Sequence, residues 1–403
     1  MIELGCFDPD IADADCAAYA REVETLTRVP LAKVQPGLDK WVARRQPPSG
    51  PGAMNVRQVQ QALRDIGFFP GGRDDGIFGY RTLSAVRLFQ EYVRSVEKLA
   101  CAPDGRFGPQ SQAHLQRWLD QRLVSTWSAA IDAWRAGTPS TDEFAAWLNG
   151  LEAVKAARLA APGALLQQVN EFKGTNDTRK VAEWDFAAPG NIHLVGVRRQ
   201  EFTGRFDDVF VLLLKGLVFK FQGSTEPGSS SHPKGPPYLV PGQHDYHFGW
   251  HRSTYLALRP SGNGVLVVRA GADKTLDDAD LNAGLEANPT INIHWGGRGM
   301  EGMVNNWSEG CQVINGSVYI GADDQLVSCA EYAATRSTDP TTRPDKTRGA
   351  YNVLLDLVTA LGSDIPGSAV KYTLLTEGDL ALAPGLAQRL TDARQQVLEQ
   401  LTR

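Results

Sequence analysis

From Asn55 onward apolar side chains recur at helical spacing. Val56, Val59, Leu63 and Ile66 share one face and Gly67 stands where a C-cap belongs, so a helix is predicted to end there. A turn through Pro70, Gly71 and Gly72 leads into DDGIFGYRT and a second amphipathic run carrying Leu83, Val86, Leu88 and Phe89. The stretch DGRFGP at 104–109 echoes the first turn and opens a third helical run with Leu115 and Leu119. Residues 121–172 keep helical periodicity, with Ser140 three before Glu143 in a capping-box arrangement and Phe144, Trp147, Leu148 and Leu151 on one face. From about Lys180 the texture changes to short β-type runs separated by Gly, Pro and Asn: Ile192–Val197, Val209–Phe221, Tyr255–Leu258 and Val265–Arg269. Lys215 and Lys220 interrupt the longest of these, which predicts two buried strands rather than a membrane helix. Tyr351–Leu361 then reads as a helix, Tyr372–Leu375 as a strand and Pro384–Leu401 as a closing helix with its proline in the first turn. Before all of these, residues 1–53 combine a short acidic helical segment with RRQPPSGPGA, a stretch too rich in Pro and Gly for regular structure.

The pattern therefore predicts a multidomain α+β chain: an N-terminal segment and linker at 1–53, a small helical bundle at 54–120, a helical spacer at 121–176 and a mostly-β domain with flanking helices at 177–403. A length of 403 residues allows several cores, and 42% hydrophobic with 22% charged residues is an ordinary globular composition. The net charge of −5 and the lack of a dense basic stretch argue against a nucleic-acid partner. The first twenty residues carry Asp8, Asp10, Asp13 and Asp15 and no apolar leader core. The expectation is a chain made in the cytoplasm without a Sec signal and with no membrane span. Cys6, Cys16, Cys101, Cys311 and Cys329 are few and odd in number, which leaves a thiol for chemistry.

Val56–Leu63 (VRQVQQAL), Asp75–Thr82 (DGIFGYRT) and Ala85–Gln90 (AVRLFQ) resemble the small helical peptidoglycan-binding domain, whose pattern is VxxLQxxL, DGxFGxxT and AVxxFQ. In that turn Asp75 bonds its own following backbone, Gly76 and Gly79 accept positive φ, and Phe78 plugs the core. Peptidoglycan is the partner that this resemblance implies.

Downstream, INIHWGGRGMEGMVNNWSEGCQVI at 291–314 puts His294 seventeen residues before Cys311, with Ser308 and Gly310 beside the cysteine. This resembles the L,D-transpeptidase signature, in which a histidine followed by glycine stands shortly before a Ser-x-Gly-Cys motif. A thiolate is the working nucleophile and needs a base or cation beside it, which His294 supplies; Gly310 permits a tight turn that leaves backbone N–H groups for an oxyanion. The resemblance implies attack by Cys311 on a stem-peptide carbonyl and a thioester resolved by an amine or by water, without a cofactor. The sequence departs from the pattern at Glu309, where the family has His or Lys, at Gln312 and Val313, where a following Arg is missing, and at Trp295, which separates His294 from Gly296. Substrate contacts are expected from Trp295, Arg298, Trp307 and Gln312, with Arg269 as a further cation. A loop carrying His244, Tyr246 and His247 should line the groove.

Five of the seven histidines lie between 232 and 294, and His232, His244, Asp245, His247 and His251 form an alternative centre, a zinc peptidase acting on the same polymer. A third reading is a non-catalytic wall-binding structural component. With no export signal in view, delivery by a secretion or injection apparatus or a phage particle is expected, with action at the cell wall or periplasm as an effector or lysin.

Overall fold

The computed structural model describes residues 1–37, 39–50, 52–137, 142–186, 192–199, 202–228, 230, 232–269, 278–299, 302–335, 343, 345–362 and 370–401; Ser140 of the expected capping box lies outside them. Two compact units form, both discontinuous in sequence. The first comprises Met1–Asp132, Phe248–Leu256 and Glu331–Ser368, and the second Ala133–His247, Ala257–Ala330 and Ala369–Arg403. These boundaries do not follow the linear order expected at 53, 120 and 176.

The first unit is mainly helical: α1 (Asp13–Thr27), α2 (Val56–Asp65), α3 (Tyr80–Ser95) and α4 (Pro109–Gln121). Asn55 caps α2 in a reciprocal box with Gln58. The buried carboxylate of Asp8 reinforces that end, accepting from Val56 N at 2.7 Å and Arg57 N at 3.0 Å. Gly67, with φ +87°, closes the helix as its periodicity predicts, and Phe68 N returns to Leu63 O at 2.8 Å. Phe68 packs edge-on against Phe89, Tyr92 and Trp118 to form the aromatic centre. The helix expected at Tyr351–Leu361 forms in this unit as an α-helix, Ala350–Asp356, running into a π-helical turn, Leu357–Leu361.

Residues 1–53 are more than a leader and linker. Strand β1 (Cys6–Phe7) pairs in parallel with β2 (Arg44–Arg45), inside the stretch read as a linker. The extended start also bridges both Asp-Gly turns, Ile2 to Phe107 and Phe7 to Ile77. Those turns present backbone groups that need partners, and the first eight residues provide them.

In the second unit the strands expected at 192–197, 209–221, 255–258, 265–269 and 372–375 appear as β3 (Ile192–Arg198), β4 (Asp208–Leu214), β5 (Leu217–Ser224), β8 (Tyr255–Arg259), β9 (Val265–Arg269) and β14 (Val370–Thr376). They are joined by β6 (Pro237–Leu239), β7 (Gly242–His251), β10 (Glu286–Asn288), β11 (Ile293–Trp295), β12 (Gln312–Ile320) and β13 (Leu326–Ser328). Residues Phe248–Leu256 at the tip of the β7–β8 hairpin count with the first unit. The apolar run at 209–221 folds as two strands, with Lys215 and Gly216 at positive φ in the connecting turn. Among the described residues the main sheet runs β11-β8-β7-β14-β3-β4-β5-β12-β13, and a further β11–β12 pairing closes it into a barrel. Valines at 195, 197, 209 and 211 face outward and are covered by Trp147 and Leu151 of the helix Asp142–Ala160 and by Leu386 and Leu390 of the C-terminal helix. Gly150 allows these helices to meet closely: a Cβ there would stand 2.3 Å from Leu386 Cδ1. No helix among the described residues is long and apolar enough to cross a membrane.

Candidate functional site

Two turns of the first unit are built by one device used twice. Gln60, on α2, donates from Nε2 to Asp75 Oδ1 (2.9 Å), Ile77 O (3.0 Å) and Thr82 Oγ1 (3.1 Å), while its Oε1 accepts from Gly76 N (2.9 Å). Gln90, on α3, does the same for the second turn, reaching Asp104 Oδ1 (3.3 Å), Arg106 O (2.9 Å) and Ser111 Oγ (2.9 Å) and accepting from Gly105 N (2.8 Å). Both amides are buried and fully used. The sequence reading included both in its matched patterns but gave them no role, although a helical Gln recurs at nearly the same interval before each Asp-Gly pair. Asp75 bonds Ile77 N at 3.0 Å, Gly76 has φ +71° and Phe78 is fully buried, as expected. Gly79 is a correction: its φ is −85°, and it is required by close approach, because a Cβ would lie 2.3 Å from the Tyr19 ring.

In the second unit Cys311 immediately precedes β12, which lies beside β11. Ile293 pairs with Gln312 and His294 with Val313 in the parallel register, so Asn292 and Cys311 stand one step upstream. The half-buried Cys311 sulfur accepts from Asn292 N at 3.3 Å and donates to Thr290 O at 3.4 Å. His294 stands opposite Val313, two residues after Cys311, an offset of roughly 6.6 Å along the chain direction. His294 is buried, and its Nδ1 lies 2.8 Å from Trp295 O; donation there leaves the lone pair of the neutral ring on Nε2. Ser308 holds the turn, donating to Cys311 O at 2.7 Å and accepting from Gly310 N at 2.9 Å. Gly310 is needed because a Cβ would meet Pro237 O at 2.5 Å. Glu309, the acidic departure from the motif, is exposed.

Several expected substrate contacts are instead parts of the core. Residues 242–251 are strand β7 rather than a groove-lining loop, so alternate side chains turn into the barrel. His244 is fully buried with both ring nitrogens engaged, Nδ1 by Thr178 Oγ1 and Nε2 by Val240 O, each at 3.0 Å; burial holds its pKa down to about 3. Tyr246 is fully buried and donates to Ile291 O at 3.0 Å; burial, then Tyr372 and Cys311, push its phenol well above the ordinary value. Trp295 and Gln312 are also inside, and Gln312 Oε1 accepts from Tyr372 Oη at 2.9 Å. His247, Arg298 and Trp307 are half-buried; Arg298 donates to Ala330 O at 2.9 Å, and Trp307 meets Trp295 edge-on at 5.3 Å. Arg269 is taken by Glu286.

The histidine cluster does not assemble. His232 is exposed, His244 is spent in the core, and Asp245 is shared between Arg179 and Lys371 at 2.9 and 2.7 Å. Among the described residues no three His, Cys, Asp or Glu side chains are placed to hold a metal ion.

A buried carboxylate braces the loop leading to Cys311. Glu226 accepts from Gly204 N at 2.8 Å and Thr203 N at 3.1 Å; Gly204 O in turn accepts from Val304 N at 2.8 Å, and Gly228 N donates to Ser308 O at 3.0 Å. Burial pushes the Glu226 carboxyl from 4.5 up to about 7, against these two N–H donors. Between those values the folded chain keeps a proton that the unfolded chain has released, so this residue's contribution to stability falls as pH rises. Glu226→Gln should therefore gain thermal stability relative to wild type progressively from pH about 4.5 to about 7, measured as the Tm difference across that range. A difference independent of pH contradicts the assignment.

No curated protein and no solved structure matches the chain. Residues 53–94, covering α2, the first Gln-braced turn and nearly all of α3, match the family model described as "Putative peptidoglycan binding domain". The chain thus carries a peptidoglycan-binding domain, with peptidoglycan as its partner and a cell-wall-related role.

Proposed function

We propose that the chain is a peptidoglycan-modifying cysteine enzyme of L,D-transpeptidase type, acting at the wall or in the periplasm. The observation that carries this reading is the placement of Cys311: a partly accessible sulfur just ahead of β12, receiving a backbone N–H and two residues before the position that pairs with His294 on the adjoining parallel strand. His294 takes the thiol proton, and the thiolate attacks the carbonyl of an L-configured stem residue. The C–N bond to the next residue breaks, its amine leaves with the proton from His294, and a thioester remains. An amine of a second stem, or water, then attacks the thioester and returns the thiol. Ser308 and Gly310 position the turn. The peptidoglycan-binding domain raises the local concentration of stems by tethering.

Purified sacculi incubated with wild type should show new cross-links, shortened stems or released crosspeptides by mass spectrometry of the muropeptides. Cys311→Ala should lower that rate by a factor of about a thousand or more. An unchanged muropeptide profile with wild type overturns the reading in favour of a non-catalytic wall binder. Activity kept in Cys311→Ala but lost with a chelator would return the zinc alternative.

A further inference from the structure

A cleft in the first unit is walled by more than the matched 53–94 segment. One side is α1, whose Tyr19 hydroxyl accepts from Tyr80 N at 2.7 Å and whose ring fills the space over Gly79. Phe69 and Phe248 line it with apolar surface, and Leu26, 57% exposed, stands at the rim. Two exposed guanidinium groups, Arg73 and Arg81, flank it. Neither has a carboxylate partner among the described residues, whereas Arg57, Arg64, Arg87, Arg94 and Arg106 of the same region each form an ion pair. Glu22 and Asp75 add two anionic groups to the wall, and Asp75 already accepts from Gln60 Nε2 and Ile77 N through Oδ1.

We infer that this cleft binds the peptide stem of peptidoglycan, with stem carboxylates held by Arg73 and Arg81 and alanine methyls against the apolar lining. Where the lactyl carboxyl of each muramic sugar is amide-linked to a stem, the glycan strand itself is neutral and gives two arginines nothing to pair with; the stem supplies free carboxylates, an amine suited to Glu22, and small apolar side chains. Because α1 builds one wall, recognition depends on residues preceding the matched domain. This inference rests on the wall-binding reading and is independent of Cys311 chemistry.

The test measures equilibrium binding of the full chain to a disaccharide-tetrapeptide muropeptide and to neutral chitotetraose, by calorimetry, with sacculus co-sedimentation alongside. The expected result is preference for the muropeptide, an affinity at least about tenfold lower in Arg73→Ala/Arg81→Ala, and partial recovery with lysine at both positions. Far-ultraviolet circular dichroism should be unchanged, since both side chains are exposed. Equal muropeptide affinity in wild type and the double alanine variant, or equal affinity of wild type for chitotetraose and muropeptide, overturns the stem assignment and leaves wall binding intact. Failure of wild type to sediment with sacculi overturns the wall-binding reading as well.

Discussion

Replacing Arg87 with Met is expected to lower the unfolding free energy of the first unit by about 3–5 kcal/mol, because it leaves a buried carboxylate without its counter-charge. Arg87 donates from Nε and Nη2 to Asp356 at 2.8 and 2.7 Å, and both residues are buried. Its Nη1 also lies 4.0 Å from Asp39, which pairs with the buried Arg348 at 2.5 Å. The network thereby joins three stretches of chain that are far apart in sequence. Urea unfolding followed by tryptophan fluorescence checks the value. The double variant Arg87→Met/Asp356→Leu should recover most of the loss, because an apolar pair no longer strands a charge. A single variant as stable as wild type would show that Asp356 already has enough compensation from its other neighbours.

Gln60→Ala is the second large effect, roughly 3 kcal/mol, and is concentrated on the first Asp-Gly turn. The substitution strips four hydrogen bonds at once and leaves the Gly76 N–H buried without its partner, while the Ile77 carbonyl keeps only the Gly79 N–H at 2.8 Å and the long Thr82 hydroxyl contact. Each buried group stranded this way costs about 1–3 kcal/mol, which outweighs the small helix-propensity gain of alanine. Hydrogen exchange at Gly76 should accelerate, and binding to sacculi should weaken with it. Gln60→Glu keeps the acceptor for Gly76 but loses every donated bond, and should fall between the two or below alanine as its charge meets Asp75. Unaltered exchange at Gly76 in the alanine variant would refute the bracing role.

The helical part was legible because its determinants are local. Apolar spacing from Val56 to Phe89 places the two helices, and Asp75-Gly76 names the turn between them. The β4–β5 hairpin was equally legible, since an apolar run broken at Lys215-Gly216 has few other ways to fold. Strand β7 was not. Its histidines and Asp245 suggested a polar loop, yet the alternation sends His244 and Tyr246 inward, where partners distant in sequence satisfy them. Gln312 was likewise assigned to substrate, although Tyr372, on a strand sixty residues later, takes its side-chain oxygen.

By itself, then, the sequence determined the elements whose period and turn chemistry lie within a few residues, and the peptidoglycan-binding pattern they carry. Only the tertiary structure decided that residues 331–368 return to the unit of α3, that β11 and β12 close the barrel, and which candidate side chains are buried. The reason is physical. Local conformational preference depends on neighbouring residues along the chain, whereas burial and the satisfaction of a polar group depend on partners brought near by long-range pairing, which no local pattern encodes.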